Sequence, residues 1–466
     1  MFFFTFKKDT LHFVFNTAKV SIYQVPKIIY DITEMWQDNS PENIIEQLGN
    51  NYERELLKKS ITTIEQMGLL EGPVLPAPGA NESIPPPQKY HLHELYLQIS
   101  HDCNLKCSYC YAEGGNFGGP TLKMDEVTAK KAVDFFLEQL PVSSTGFINF
   151  DGGEPFLNWG LIETVVADGL EKARNMKKKV QFKIGTNGTL LNEENIRLLN
   201  ASRFSLGISI DGAEQAHNAC RKFNGNTGSY DVVEKNFITY KDSLKDCIIQ
   251  ARATITKTNL NVTEVVKHLL HLGFKHIYFE PVSSSDPRFA LTQTDYNIIK
   301  EECSHLAELY TDALLQGNSY ALNNFNMFIK RLHFKQKYRY KCEVARTGAA
   351  ITPKGEIYPC YKFSNLEEFL MAHVDQNDHL NKGCINAAIQ EPFLNNHVDN
   401  RPGCRECWAR YLCGGGCAYL GFLLHRDIKQ KDENECSFTL HMITLAMQIY
   451  VTVKNKAPHF WNEYFK

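Results

Sequence analysis

Leu95-Tyr-Leu-Gln-Ile-Ser100-His-Asp-Cys103-Asn-Leu-Lys-Cys107-Ser-Tyr-Cys110 reads as a short apolar strand that runs into a loop carrying three cysteines. Three thiolates on one tight loop can hold three corners of a four-iron, four-sulfur cube and leave the fourth iron without a protein ligand. A reactive metal site needs such an open position, and a purely structural site avoids one. A zinc knuckle or buried thiols are the alternatives, but only His101 lies close by as a fourth ligand.

The same strand-then-loop pattern repeats over residues 91–285. Candidate strands are Leu95–Ser100, Phe147–Phe150, Val180–Ile184, Ser205–Ile210, Gln250–Thr256 and His276–Phe279, with amphipathic helices such as Met124–Leu140 and Val262–Leu272 between them. Repeated βα units imply a parallel sheet. Six of them predict an α/β fold built on a partial (β/α)6 TIM-like barrel, with its chemistry at the C-terminal ends of the strands. The Cys103 loop follows the first strand, as that rule requires.

The chain has 466 residues, 43% hydrophobic and 22% charged, with a formal net charge of −3. These values describe a globular protein with no global attraction to nucleic acid or membrane. The apolar start Met1-Phe-Phe-Phe-Thr-Phe6 stops at Lys7-Lys8, too short for a signal peptide. No stretch reads as a membrane span, and a cytoplasmic location is expected. In that reducing compartment the fourteen cysteines are not expected to pair as disulfides. None precedes Cys103, and five fall between Cys404 and Cys436, a clustering that points to metal ligands.

Residues 1–71 form a candidate small domain. Phe2, Phe4 and Phe6, then Leu11, Phe13 and Phe15, alternate as strands do, and Ser21–Val25 supplies a third. A helix opens at Pro26 with Ile28, Ile29, Ile32, Met35 and Trp36. A second starts at the Ser40-Pro41 cap with Ile44, Ile45 and Leu48. A third is expected to bury Leu56, Leu57, Ile61 and Ile64. The pattern is winged-helix-like. Residues 72–90, with six prolines between Pro73 and Pro87, read as a semi-rigid linker, and 286–341 as a helical bridge. Its basic run from Lys330 to Lys341 is expected on a solvated helix face.

Other residues gather at the predicted strand ends. Phe150-Asp-Gly152-Gly153-Glu154-Pro155 follows the second strand, Thr186-Asn187-Gly188 the third and Ser209-Ile-Asp211-Gly212 the fourth, while Arg252 lies in the fifth. Glycines let backbone approach a ligand, and a carboxylate can receive an ammonium group. Each alone reads as an ordinary turn; their shared position on successive strands is the signal. Residues 342–466 carry Cys342-x12-Gly355-x4-Cys360, then Cys404-x2-Cys407-x5-Cys413-x3-Cys417, then Cys436 after eighteen residues. Cys220, Cys247 and Cys303 match no spacing and read as ordinary buried thiols.

The C-x3-C-x2-C loop, with an aromatic before its last cysteine, resembles the radical S-adenosylmethionine (radical SAM) enzymes. The C-terminal array resembles the SPASM domain of radical SAM peptide maturases. The N-terminal unit resembles the recognition element that captures the leader of a ribosomally made peptide by adding it as a strand to a sheet edge. A DNA-binding winged helix is the alternative, but the helices hold Asp31, Glu34, Glu42, Glu46, Glu53 and Glu55 rather than a basic face. Taken together these resemblances imply three [4Fe-4S] clusters and SAM as cofactors. Cys103, Cys107 and Cys110 would hold the cluster that binds SAM. Cys342, Cys360 and Cys417 would hold one auxiliary cluster, and Cys404, Cys407, Cys413 and Cys436 the other. Gly152, Gly153 and Glu154 would meet the methionine amino group and Arg252 its carboxylate. Ser209 and Asp211 would lie near the ribose, Tyr109 would border the adenine, and Asn187 is a further candidate. Some SPASM enzymes place an extra cysteine where this chain has Gly348. The first auxiliary set is then one ligand short, which a substrate cysteine or Cys384 could complete.

The implied reaction uses a 5′-deoxyadenosyl radical to install a thioether from a cysteine sulfur to a carbon of a leader-bearing peptide, as in the sactipeptide and ranthipeptide maturases. An electron donor such as flavodoxin or ferredoxin is implied too. Anaerobic sulfatase maturases share the array but place an aspartate base directly after the cysteine matching Cys360; here that residue is Tyr361, which ranks formylglycine formation low. A carbon–carbon crosslink or an epimerisation of the peptide would use the same radical, and a non-catalytic iron–sulfur electron carrier would use the clusters alone.

Overall fold

The computed structural model describes residues 2–73, 91–318, 320–375 and 385–465. Most of the proline-rich linker, residues 74–90, and Cys384 therefore lie outside the described residues.

At the N-terminus β1 (Phe3–Lys8), β2 (Leu11–Asn16) and β3 (Ser21–Val25) form an antiparallel sheet with β2 in the centre. Three helices follow: α1 (Lys27–Met35), α2 (Pro41–Leu48) and α3 (Arg54–Gln66). Ser40 caps α2 by accepting the N–H of Asn43 at 3.3 Å, and Pro41 takes the first helical position. The central strand is buried on both faces. Val14, with Phe3 and Val25, packs on Ile32, Ile44, Leu57, Ile61 and Ile64 of the helices. Phe6, Phe13 and Phe15 point the other way, into the main core. Leu56 departs from expectation and is 46% exposed. Leu57, Ile61 and Ile64 repeat at four and three residues and define the buried stripe, whereas Leu56 sits one residue off it, about 100° around the helix.

The main sheet is built from β4 (Glu94–Ser100), β5 (Thr145–Gly152), β6 (Lys179–Thr186), β7 (Ser205–Ser209), β8 (Ile248–Ile255) and β9 (His276–Pro281). They lie side by side in chain order and every neighbouring pair is parallel. This large parallel sheet is consistent with a TIM-like fold. In β4, Leu95, Leu97, Gln98, Ile99 and Ser100 are all buried, the near-continuous burial of a parallel strand covered on both faces. β10 (Ala321–Leu322) extends one edge beside β9. On the other edge β11 (Gly348–Ile351) runs parallel to β4, followed by antiparallel β12 (Glu356–Tyr358) and β13 (Ala372–His373). One sheet therefore runs from the βα units into the cysteine-rich region.

Helices Gln293–Leu315 and Asn323–His333 span the expected bridge. The basic run is not one solvated helix face. The helix stops at His333, and Arg331 turns inward to the Leu412 carbonyl. Both bridge helices pack on Glu433–Lys456, a helix of 24 residues. By length and composition that helix could cross a membrane, contrary to expectation. Its apolar residues Met442, Ile443, Ala446, Met447, Ile449 and Val453 are instead buried in the core, which a helix flanked on several sides requires.

Candidate active site

The C-terminal ends of β4–β9 open into a cavity of about 560 Å³. Cys103, Cys107 and Cys110 line it from the loop after β4, with Tyr109. Backbone bonds pin that loop to the segment after β7: Lys106 N–H donates to Lys222 O at 2.7 Å and Ser108 N–H to Cys220 O at 3.0 Å. Leu105, 1% exposed, anchors it in the core.

Gly152 and Gly153 line the cavity at the tip of β5. Their lack of a side chain serves the cysteine loop as well as any ligand. Gly152 has φ 127°, and a Cβ there would collide with the Ser100 carbonyl; one on Gly153 would collide with that of Asp102. Gly153 N–H donates to Ser100 O at 2.7 Å and Glu154 N–H to Asp102 O at 2.8 Å, so the motif clamps the root of the loop.

Glu154 stands behind this surface, 1% exposed. It accepts hydrogen bonds from Asn187 N–H (2.7 Å), the Thr186 hydroxyl (2.7 Å) and Phe156 N–H (3.1 Å). Burial pushes its carboxyl up to about 7 against those donors. Asp211, also 1% exposed, accepts from Tyr109 OH (2.6 Å), Arg221 Nε (2.9 Å) and Thr254 N–H (2.9 Å). Asn187 lines the cavity and donates to Asn104 at 2.8 Å, with the Cys103 sulfur at 3.9 Å. Ser209 and Arg252 line it directly. The structure thus brings the predicted residues to one place but puts the Glu154 and Asp211 carboxylates in its wall.

Several lining residues were given no role in the site by the sequence: Asp151, Arg221, Glu280 and Lys362; Tyr361, singled out there as the residue after Cys360, lines it too. Asp151 sat inside the Gly-Gly-Glu motif and its position was legible; the others carry no spacing signal. Burial pushes the Asp151 carboxyl up to about 6, opposed by Gly152 N–H, Arg252 and Lys362.

The remaining cysteines gather in two further sets. Cys404, Cys407, Cys413 and Cys436 line one small cavity of about 30 Å³, with Lys431 and Arg410 in its wall. Cys342, Cys360 and Cys417 lie within electrostatic reach of one another, beside Lys341 and Lys362. Burial raises Cys107, Cys404 and Cys436 to about 11 and Cys103 to about 12, and raises Cys360 further. Cations oppose this: Arg221 at Cys107, Arg401 at Cys404 and Lys431 at Cys436. Lys431 Nζ lies 4.0 Å from the Cys436 sulfur and Arg221 Nη1 3.9 Å from that of Cys107. Convergent thiols with cationic donors aimed at sulfur suit thiolate ligands. Among the described residues no three His, Cys, Asp or Glu are arranged around a single ion; a four-iron cube takes a wider ring of sulfur. Cys303 is buried apart from these sets, Cys220 is buried behind the first loop within electrostatic reach of Cys107, and Cys247 is half-buried against Asn200.

A parallel α/β sheet with a three-cysteine loop at its strand tips defines a class, and comparison with known proteins names it. Residues 97–258 match the model of the Radical SAM superfamily. The matched stretch takes in the Cys103–Cys110 loop and Gly152–Glu154, so over it the chain resembles radical SAM enzymes. It is 35% identical over 193 residues to an uncharacterised protein of Methanocaldococcus jannaschii, a match spanning 41% of this chain and 62% of that one. A cysteine-type anaerobic sulfatase-maturating enzyme of Clostridium perfringens is 24% identical over 362 residues, 74% of this chain and 92% of the relative. The subtilosin biosynthesis protein AlbA of Bacillus subtilis is 23% identical over 398 residues, 83% and 75% of the two. Among solved structures, native anSMEcpe with bound AdoMet shares the fold at TM-score 0.63 and 20% identity, covering 78% of this chain and 99% of that one. Streptococcus suis SuiB bound to its precursor peptide SuiA does so at 0.53 and 13%, covering 93% and 98%.

Proposed function

We propose that the chain is a peptide maturase that forms thioether crosslinks, from a cysteine sulfur to a carbon, in a ribosomally made, leader-bearing peptide. One observation carries this reading: a three-stranded sheet whose edge strand β3 is half-buried to exposed over residues 21–24 stands beside the cysteine-rich region. Such an edge can accept a leader as a further strand. SuiB, described with its precursor peptide, matches the chain over 93% of its length. AlbA, a bacteriocin biosynthesis protein, matches over 83%.

In this reading residues 1–71 hold the leader, 91–285 form the partial barrel, 286–341 bridge, and 342–466 form the SPASM region. Cys103, Cys107 and Cys110 hold the catalytic [4Fe-4S] cluster. Cys342, Cys360 and Cys417 hold one auxiliary cluster, and Cys404, Cys407, Cys413 and Cys436 the other. When bound, the catalytic cluster and SAM supply a 5′-deoxyadenosyl radical that abstracts hydrogen from carbon. The protein's own residues hold and shield. Gly152 and Gly153 present backbone to the methionine end of SAM, and Arg252 offers its guanidinium to the carboxylate. Ser209 meets the ribose. Asp211 orients Tyr109 toward the adenine through their 2.6 Å hydrogen bond. Glu154 fixes the β5–β6 wall through Thr186 and Asn187. The electron donor is of the flavodoxin or ferredoxin type, and the location is cytoplasmic.

The sulfatase maturase relatives favour a rival, conversion of a cysteine or serine in a protein to formylglycine. Against it, the residue after Cys360 is Tyr361, whose phenol burial holds well above its ordinary range and therefore protonated. One experiment separates the readings. The enzyme is co-expressed with each small open reading frame beside its gene and the peptides are weighed. A thioether is expected to appear as a loss of two hydrogens per bridge with no free thiol. Formylglycine with no crosslink would overturn the proposal. Replacing Cys103, Cys107 and Cys110 by Ala is expected to remove about four irons per chain and to abolish 5′-deoxyadenosine release from reduced protein and SAM.

A further inference from the structure

The acids of the cavity are unequally occupied. Glu94 bonds Lys183 at 2.8 Å and Asn149 at 3.1 Å. Glu154 and Asp211 are each held by three donors in the wall. Glu280 bonds Tyr278. Asp151 differs. It projects from the tip of β5 onto the cavity surface, and among the described residues its carboxylate is bonded to the neighbouring Gly152 N–H and to no side chain. The charged and titratable groups facing it are Arg252 from β8, Tyr96 from β4, Tyr111 from the cysteine loop, and Tyr361 and Lys362 after Cys360.

An acid with accepting lone pairs to spare, two cations beside it and a substrate cavity in front has the equipment of a proton acceptor. Lys362 would also favour a thiolate formed beside it.

We infer that Asp151 is the base that removes the proton from the substrate cysteine before its sulfur bonds to carbon, an inference that rests on the thioether reading above. The step moves one proton and no electron: the thiol and the Asp151 carboxylate become a thiolate and the Asp151 carboxylic acid. The sulfur then stands as a thiolate beside Lys362; its bond to the substrate carbon radical would release one electron, to be taken up by a one-electron acceptor of the iron–sulfur class. The proton returns to water when the product leaves. Glu154, three residues on, takes no part because its lone pairs are already engaged.

The test uses reconstituted enzyme and the precursor peptide found crosslinked in the co-expression. In Asp151→Asn the crosslinked product is expected to fall by about 10²–10⁴ while 5′-deoxyadenosine release with peptide continues, and Asp151→Glu is expected to recover part of the loss. A second readout needs no radical chemistry. Alkylation of the bound peptide's cysteine by monobromobimane, without SAM, is expected to slow at pH 7 in Asp151→Asn. It should recover as the pH passes the thiol's own value of about 8.5. In the wild type both rates should climb through about pH 6, where the carboxylate replaces the acid, and this limb should vanish in Asp151→Asn. Normal crosslinking or unchanged alkylation in Asp151→Asn overturns the inference and leaves the thioether reading standing. Loss of 5′-deoxyadenosine together with the crosslink overturns it too, since Asp151 would then be supporting the SAM site. A wild type that modifies no cysteine overturns both.

Discussion

Asp211 ties three separate parts of the site's wall together. Its oxygens serve Tyr109, Arg221 and the Thr254 backbone, and the pair with Arg221 leaves the two side chains 2% and 10% exposed. Asp211→Asn would leave a buried guanidinium uncompensated, which costs about 3–5 kcal/mol. The urea midpoint is therefore expected to drop clearly, with Tyr109 released from its 2.6 Å bond. A midpoint within error of the wild type would show that Arg221 finds another partner. The sequence placed Asp211 at the right strand end but assigned it a ligand contact, because a carboxylate facing a cavity and one facing its wall look alike in one dimension. The cysteines were legible for the opposite reason. Their chemistry needs several of them together, so spacing itself carries the signal. Asp151 fell between these cases: its position was plain, but its surroundings, Arg252, Lys362 and Tyr361, come from distant parts of the chain.

At the scale of elements, periodicity told which segments are helices and strands but not always which side they bury. Helix α3 shows the difference in adjacent residues. Leu57 is fully buried among Ile32, Ile44 and Ile61, and Leu56 is 46% exposed. Leu57→Ala is expected to cost about 2–5 kcal/mol, whereas Leu56→Ala should stay within about 0.5 kcal/mol. Equal losses in paired denaturation curves would mean that α3 packs on a different stripe. The six parallel strands β4–β9 were readable because each is long enough to show apolar patterning. Strands β10–β13 were not: two to four residues carry no period, and they exist because a neighbouring edge pairs with them. Helix Glu433–Lys456 escaped for a related reason. Its polar residues spread along an otherwise apolar run, and only the surrounding helices reveal how much of it is covered.

Across the whole molecule, the N-terminal sheet and the cysteine-rich region meet at Trp408, directly after Cys407. Its indole stacks on Phe4 with centroids 4.0 Å apart and takes the edge of Phe15 at 6.1 Å, while its carbonyl accepts the Thr17 hydroxyl at 2.7 Å. Nearby, the Arg410 guanidinium lies 4.8 Å from the Phe2 ring, and Gln448 reaches the Lys7 carbonyl at 3.5 Å. The sheet proposed to hold the leader therefore rests on the loop that bears Cys404 and Cys407. Trp408→Ala removes the stacked pair and leaves the backbone bond to Thr17, so the sheet should stay folded but dock less firmly. An aromatic pair is worth about 0.5–1.5 kcal/mol beyond its buried area. Amide exchange in β1 and β2 is then expected to quicken by about tenfold, the equivalent of about 1.4 kcal/mol. Exchange in β4–β9, which lie outside the Phe4–Trp408 stack, should not change. Because docking brings leader and cavity into one body, the same variant should crosslink peptide more slowly at low peptide concentration than at saturation. Unchanged exchange in β1 and β2 would mean that the sheet is held through Phe6, Phe13 and Phe15 in the main core, and that Trp408 only covers the face it touches.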